Sequence, residues 1–230
     1  MLGEAERAAV ANLAPSGYRI AHRPYVRDCE TQSVFRALRQ KIRVLLSESA
    51  TVAVCAAAPG EGASWAAAML ACATAEDRGS VMLVDGDVEK ATQKSSFEIT
   101  GAACNRLPPM LEQHFDLYGT STPQISILTP SEGVSCSERE AGASLRVGLS
   151  AIRSRWDNII LDCPPIPASG LLVDIAPSVD GVILVVKAER ERRDELKHRI
   201  EWLKRMGSPL LGVVFNKATG HLPRFLERSL

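Results

Sequence analysis

The apolar run Thr51-Val52-Ala53-Val54-Cys55-Ala56 leads into Ala57-Ala58-Pro59-Gly60-Glu61-Gly62-Ala63-Ser64 and on into Trp65-Ala66-Ala67-Ala68-Met69-Leu70-Ala71. The three segments read as a strand, a glycine-containing turn and the start of a helix. Main-chain N–H groups at such a turn, backed by the helix N-terminus, form a pocket for phosphate. The full pattern ends in Gly-Lys-Ser or Gly-Lys-Thr, whereas this chain reads Gly62-Ala63-Ser64. The form of a nucleotide site is therefore present without its main positive charge. Pro59, Gly60, Glu61, Gly62, Ala63, Ser64 and Trp65 are its candidate contacts.

Two more strand-like runs end in acids. Residues 81–84 precede Asp85-Gly86-Asp87, and residues 159–161 precede Asp162-Cys163-Pro164-Pro165. In one parallel sheet all three strand ends share an edge, where ligands of such sheets bind. The Ser64 hydroxyl, Asp85 and Asp162 are then candidate Mg²⁺ ligands, directly or through water. Asp85, Asp87 and Asp162 are the candidate catalytic acids. A single Asp at a strand end is more often a turn or a helix cap. Three such ends in this order favour a nucleotide site.

The elements that must position these residues alternate along the chain. Residues 1–30 carry Pro15, Gly17 and Pro24 and read as an irregular arm. Residues 31–47 place Val34, Phe35, Leu38, Ile42, Leu45 and Leu46 at helical spacing, with Arg36, Arg39, Lys41 and Arg43 on other faces. Residues 91–124 read as irregular, with one short helix near 110–114. Strands are expected at 125–128, 182–186 and 210–215, and helices at 139–155, 170–176 and 189–206. Strands alternating with helices predict an α/β fold, a doubly wound, mainly parallel sheet with helices on both faces. Residues 31–230 are expected to form one domain.

The chain has 230 residues, with 27 Lys+Arg against 27 Asp+Glu. Zero net charge argues against a general nucleic-acid or membrane-surface binder, which needs a basic excess. The six cysteines, at 29, 55, 72, 104, 136 and 163, form no C-x-x-C pair and read as reduced thiols. The N-terminal residues show no secretory pattern, and no apolar run reaches transmembrane length. The expected location is cytoplasmic, with any membrane association made through a partner. His22, His114, His198 and His221 have no ligand spacing.

The order of loop, Asp-x-Asp, Asp-x-Pro-Pro and a last strand ending at Asn216 resembles the bacterial tyrosine kinases of capsule and exopolysaccharide synthesis, in the deviant Walker A P-loop class. The likeness runs from about residue 31 to 217 and includes Val179-Asp180-Gly181-Val182-Ile183-Leu184-Val185-Val186. It implies ATP or ADP with Mg²⁺ as cofactor and adenine against Asn216. It also implies a membrane polysaccharide co-polymerase as partner, and a homo-oligomer formed through Arg36 and Arg39.

The departures fall on function. Ala63 replaces the lysine, and Glu89 stands where the second motif has arginine. Ser33 replaces the acid of a Glu-x-x-Arg-x-x-Arg helix that continues through Arg36 and Arg39. The tyrosine-rich tail of the family is missing, since the tyrosines are Tyr18, Tyr25 and Tyr118. Losing one donor aimed at developing charge costs on the order of 3 kcal/mol, about a hundredfold in rate. The expectation is a regulatory or scaffolding pseudokinase. The alternatives are an active autokinase with a substitute cation such as Lys90 or Lys94, and a partitioning ATPase on DNA or membrane, which the zero net charge disfavours.

Overall fold

A computed structural model describes residues 29–46, 49–77, 79–97, 99, 103, 107–166, 169–187 and 193–216. The expected arm, up to residue 28, and the charged run at 189–192 lie outside these residues. So do Tyr18, Tyr25, His22, His221 and Cys104.

The chain begins with helix α1 (Cys29–Leu45), strand β1 (Ala50–Ala56), helix α2 (Ala63–Ala75) and strand β2 (Val81–Asp85). Two short helices follow, α3 (Gln93–Ser96) and α4 (Pro109–Glu112), then strands β3 (Phe115–Gly119) and β4 (Ile125–Pro130). The remainder is α5 (Glu138–Ile152), β5 (Asn158–Asp162), α6 (Gly170–Ile175), β6 (Gly181–Lys187), α7 (Arg193–Arg205) and β7 (Leu210–Asn216). One seven-stranded sheet runs in the order β3-β4-β2-β5-β1-β6-β7. Every pairing is parallel except β3 with β4.

Side-chain alternation along the central strands explains the two layers. Successive strand residues point to opposite faces. Along β1, Ala53 and Cys55 enter the core under α4 to α7, while Val52, Val54 and Ala56 enter the core under α1 and α2. Both faces of the strand are covered, so its residues are buried without a polar interruption other than Thr51. This is the doubly wound arrangement expected from the strand–helix alternation.

The stretch 91–124 departs from its irregular reading. It holds α3, places its second helix at α4, and ends in the antiparallel edge strand β3. The physical reason is local pairing: β3 lies beside β4 through a short connection, with Phe115 opposite Pro130 and Gly119 opposite Ser126. Phe115 and Leu117 bury while Asp116 stays partly exposed. The connection is tied by Thr120, whose hydroxyl donates to carbonyl oxygens of Thr122 and Ile125 at 2.9 and 3.0 Å. Elsewhere the helix starts follow capping chemistry. Ser137 and Glu140 make a reciprocal capping box at α5, and the Ser169 hydroxyl accepts from Leu172 N at 3.0 Å at α6.

The helical face of the core is packed tightly where α4 meets α5. Leu111 is fully buried, and a Cβ added at Gly148 would lie 2.6 Å from its Cγ. Leu111→Ala therefore leaves a cavity beside a glycine that cannot fill it, and is expected to cost about 2–5 kcal/mol. Chemical denaturation followed by circular dichroism checks this; a loss below ~1 kcal/mol would contradict the packing described.

Candidate functional site

The site begins where β1 ends. Ala57 N donates to Val185 O at 2.9 Å, which carries the strand pairing to the foot of the loop. Gly60 and Gly62 then take φ values of 79° and 97°. These lie in the left-handed region, which glycine enters without steric penalty. Gly62 is also enclosed, because a Cβ there would collide with Asn216 Nδ2. Ala63 is the first residue of α2 and is buried, with Ser64 following it half-buried.

Asn216, at the end of β7, donates its Nδ2 to Glu61 O at 2.8 Å. It thus braces the loop from the far strand. Glu61 is fully buried and turns back on its own loop, where Oε2 accepts from Ala58 N at 3.1 Å. Glu89 is exposed to water. Trp65 meets Phe35 of α1 edge to face, with centroids 5.4 Å apart, and so packs α2 against α1.

Asp85 and Asp162 are Cα partners in neighbouring strands β2 and β5. Both are buried, and Gly86 N donates to Asp162 O at 2.8 Å. A Cβ at Gly86 would lie 2.7 Å from that same carbonyl oxygen, so only glycine permits this approach. Asp85 Oδ2 accepts from Thr92 N at 2.7 Å and from Gln93 N at 2.8 Å, while its Oδ1 is buried with no hydrogen-bond partner. Asp162 Oδ2 accepts from Gln93 Nε2 at 2.8 Å, and the Ser64 hydroxyl bonds the same carboxyl group. Gln93 Nε2 also donates to Ser64 O at 2.9 Å. Asp87 is half-buried and caps its own turn, accepting from Lys90 N at 2.9 Å.

Burial pushes the Asp162 carboxyl up to about 7, the negative charge of Asp85 adds to the rise, and the bonds from Gln93 and Ser64 oppose it. Burial likewise raises Asp85 to about 6, against the N–H groups of Gln93 and Thr92 that pull it down. Hard oxygen donors suit Mg²⁺, and the buried Asp85 Oδ1 is available as a ligand atom. Ser64, Asp85 and Asp162 therefore fit a divalent cation, which would supply counter-charge to them and to a bound phosphate.

The sequence-derived residues fall into two places. The loop from Pro59 to Ser64, Asn216, Asp85, Asp87 and Asp162 gather at one sheet edge. Arg36 and Arg39 instead join α1 to the end of α2. Arg36 pairs with Glu76 at 2.6 and 2.9 Å, and Arg39 donates to Ala73 O at 3.1 Å and pairs with Asp77. Lys94 is likewise engaged, donating to Glu132 Oε1 at 2.6 Å and Tyr118 Oη at 3.2 Å. Gln93 is a further member of the site; as one polar residue in a stretch read as irregular, it carries no signal in the sequence.

A pH dependence follows. The unfolded carboxyls titrate near 3.8, below their folded values of about 6 and 7, so the folded protein holds these protons more tightly. Stability from this source is present at acid pH and is lost as pH rises through those folded values. In metal-free buffer the melting temperature should fall from about pH 4 to about pH 7, and Asp162→Asn should flatten that fall. An equal slope in wild type and variant would contradict the assignment.

No protein-family model matches the chain. Among curated proteins, tyrosine-protein kinase CpsD of Streptococcus agalactiae serotype Ia is 30% identical over 199 residues, covering 83% of this chain and 84% of that one. The kinase domain of the Escherichia coli tyrosine kinase ETK superposes with a TM-score of 0.73 at 16% identity, over 92% of this chain and 88% of that one. The septum site-determining protein MinD of Pyrococcus horikoshii, solved with Mg-ADP, gives 0.59 at 19% identity, over 76% and 72%. With its motifs on one parallel sheet edge and relatives of this closeness, the chain belongs to the bacterial tyrosine kinase family.

Proposed function

We propose that this chain is a pseudokinase, a regulatory or scaffolding member of its family in capsule or exopolysaccharide synthesis and export. One observation carries the reading: Ala63 stands at the head of α2, where the loop pattern requires lysine. Phosphoryl transfer depends on positioning and on offsetting charge. The loop, Ser64 and the two buried aspartates preserve positioning, while the charge is lost. Glu89 in place of arginine removes a second cation.

The placement of Lys94 removes one of the two named candidates for a substitute cation and leaves the exposed Lys90 as the other. The Lys94 ammonium group is held by Glu132 and lies 4.7 Å from the Tyr118 ring centroid. Weak binding of ATP or ADP with Mg²⁺ is retained in this reading, in keeping with the Mg-ADP of the MinD structure. The partner is a membrane polysaccharide co-polymerase. Among the described residues no helix is long and apolar enough to cross a membrane; in this reading, contact with the membrane is made through that partner, from the cytoplasmic side.

Two measurements test this. Incubation with radiolabelled ATP should leave the protein unlabelled, and Ala63→Lys should raise ATP affinity by at least about tenfold in calorimetry, given the roughly hundredfold effect of one such donor. Submicromolar ATP binding with rapid turnover by the natural chain would refute the proposal. In a deletion strain, polysaccharide output should be restored as well by Asp162→Asn, whose side-chain oxygen still accepts from Gln93, as by the natural gene. Restoration by the natural gene alone would mean that the carboxylate site is needed.

A further inference from the structure

Gln93 is fully buried, although glutamine is a residue type usually found at the surface. Its position explains why. The side-chain amide has two N–H groups, and both are used: one on Asp162 Oδ2 at 2.8 Å, the other on Ser64 O at 2.9 Å. Its main-chain N–H is used as well, on Asp85 Oδ2 at 2.8 Å. One residue therefore donates to both buried carboxylates and to the first turn of α2. The named donors on these carboxylates are all neutral: Thr92 N, Gln93 N, Gln93 Nε2 and the Ser64 hydroxyl.

Two buried carboxylates side by side, facing a phosphate cradle, ordinarily require a cation. We propose that the Gln93 amide is an internal substitute for that cation, a latch that holds Asp162, Asp85 and the start of α2 together without metal. The latch directs its partial positive charge at Asp162 Oδ2. A divalent cation that used this oxygen would compete with a group that is tethered in place. The consequence is a site that keeps its shape empty and takes up metal weakly.

The position of α3 is fixed from outside the site, which keeps the latch engaged. Lys94, the next residue, is anchored to Glu132 and Tyr118. Ser96 N and Phe97 N close the short helix on Thr92 O and Gln93 O. Gln93 is thus a positioning residue whose effect is exerted through Asp162. The proposal deepens the pseudokinase reading and rests on it for its biological meaning. Its test contains no nucleotide, so its failure would leave the labelling experiment untouched.

Gln93→Glu replaces the donating amide with a third carboxylate that faces two acceptors. At mildly alkaline pH with a chelator, the variant should melt about 5–10 °C below the natural chain, as a buried unpaired charge requires. Millimolar Mg²⁺ or Mn²⁺ should recover at least half of that loss while shifting the natural chain little. An unchanged melting temperature in chelator would overturn the latch. A fall that neither ion repairs would also overturn it, by showing that Gln93 only fills space. Gln93→Met, similar in length and without donors, guards against a misfolded first variant. It frees the Asp162 oxygen, and Mn²⁺ affinity read by paramagnetic resonance should rise by about tenfold or more, a gain of roughly 1.4 kcal/mol. Equal Mn²⁺ affinity in Gln93→Met and the natural chain would likewise overturn the proposal.

Discussion

The pairing of Asp85 with Asp162 across β2 and β5 sets the terms for everything at this sheet edge. Neighbouring strands lie about 4.8 Å apart, so register alone places two acids side by side at the end of a buried sheet. Neither can be fully solvated; burial raises the proton affinity of both, and the charge of Asp85 adds to the rise at Asp162. The surrounding chain answers that constraint with donors rather than with charge. Thr92 N and Gln93 N serve Asp85, and the Gln93 amide and Ser64 hydroxyl serve Asp162. Gly86 follows from the same constraint, since any side chain there would enter the space of the Asp162 carbonyl.

The phosphate cradle is built independently of those acids. Its shape comes from two left-handed glycines, from the strand pairing that reaches Ala57, and from Asn216 bracing Glu61 from β7. None of these needs a lysine. This is why the loop keeps its form after the position that carries charge has become Ala63. The lysine contributes to what the cradle holds, whereas the glycines and hydrogen bonds determine that the cradle exists. A family member can therefore lose one without losing the other.

Sequence pattern was informative wherever a physical rule acts over a few neighbouring residues. Continuous apolar runs such as 51–56 marked the buried strands, and glycines at 60 and 62 marked the turn. Asp85 and Asp162 could be placed on one edge because strand–helix alternation forces parallel pairing. The pattern failed where structure comes from distant contacts. Strand β3 is made by its pairing with β4, and its five residues include a partly exposed Asp and end in Gly. The Arg36 and Arg39 partners Glu76 and Asp77 are about forty residues away, so no spacing rule links them. Gln93 was hidden for the same reason, being 69 residues from Asp162.

Chemistry at the site thus depends on which donor faces a buried carboxylate, a property that motif spacing does not encode. A mobile cation and a tethered amide both lower the cost of burying Asp162, but they differ in what happens on exchange. A cation would be free to dissociate. The amide is covalently part of the chain, so its effective concentration at Asp162 does not fall on dilution. A site latched in this way is stable when empty and changes little on binding. That is a poor design for turnover, in which ligand-driven rearrangement assembles the catalytic groups. It suits a surface that must present one conformation to a partner, which links the neutral donors around Asp162 to the scaffold role inferred from Ala63.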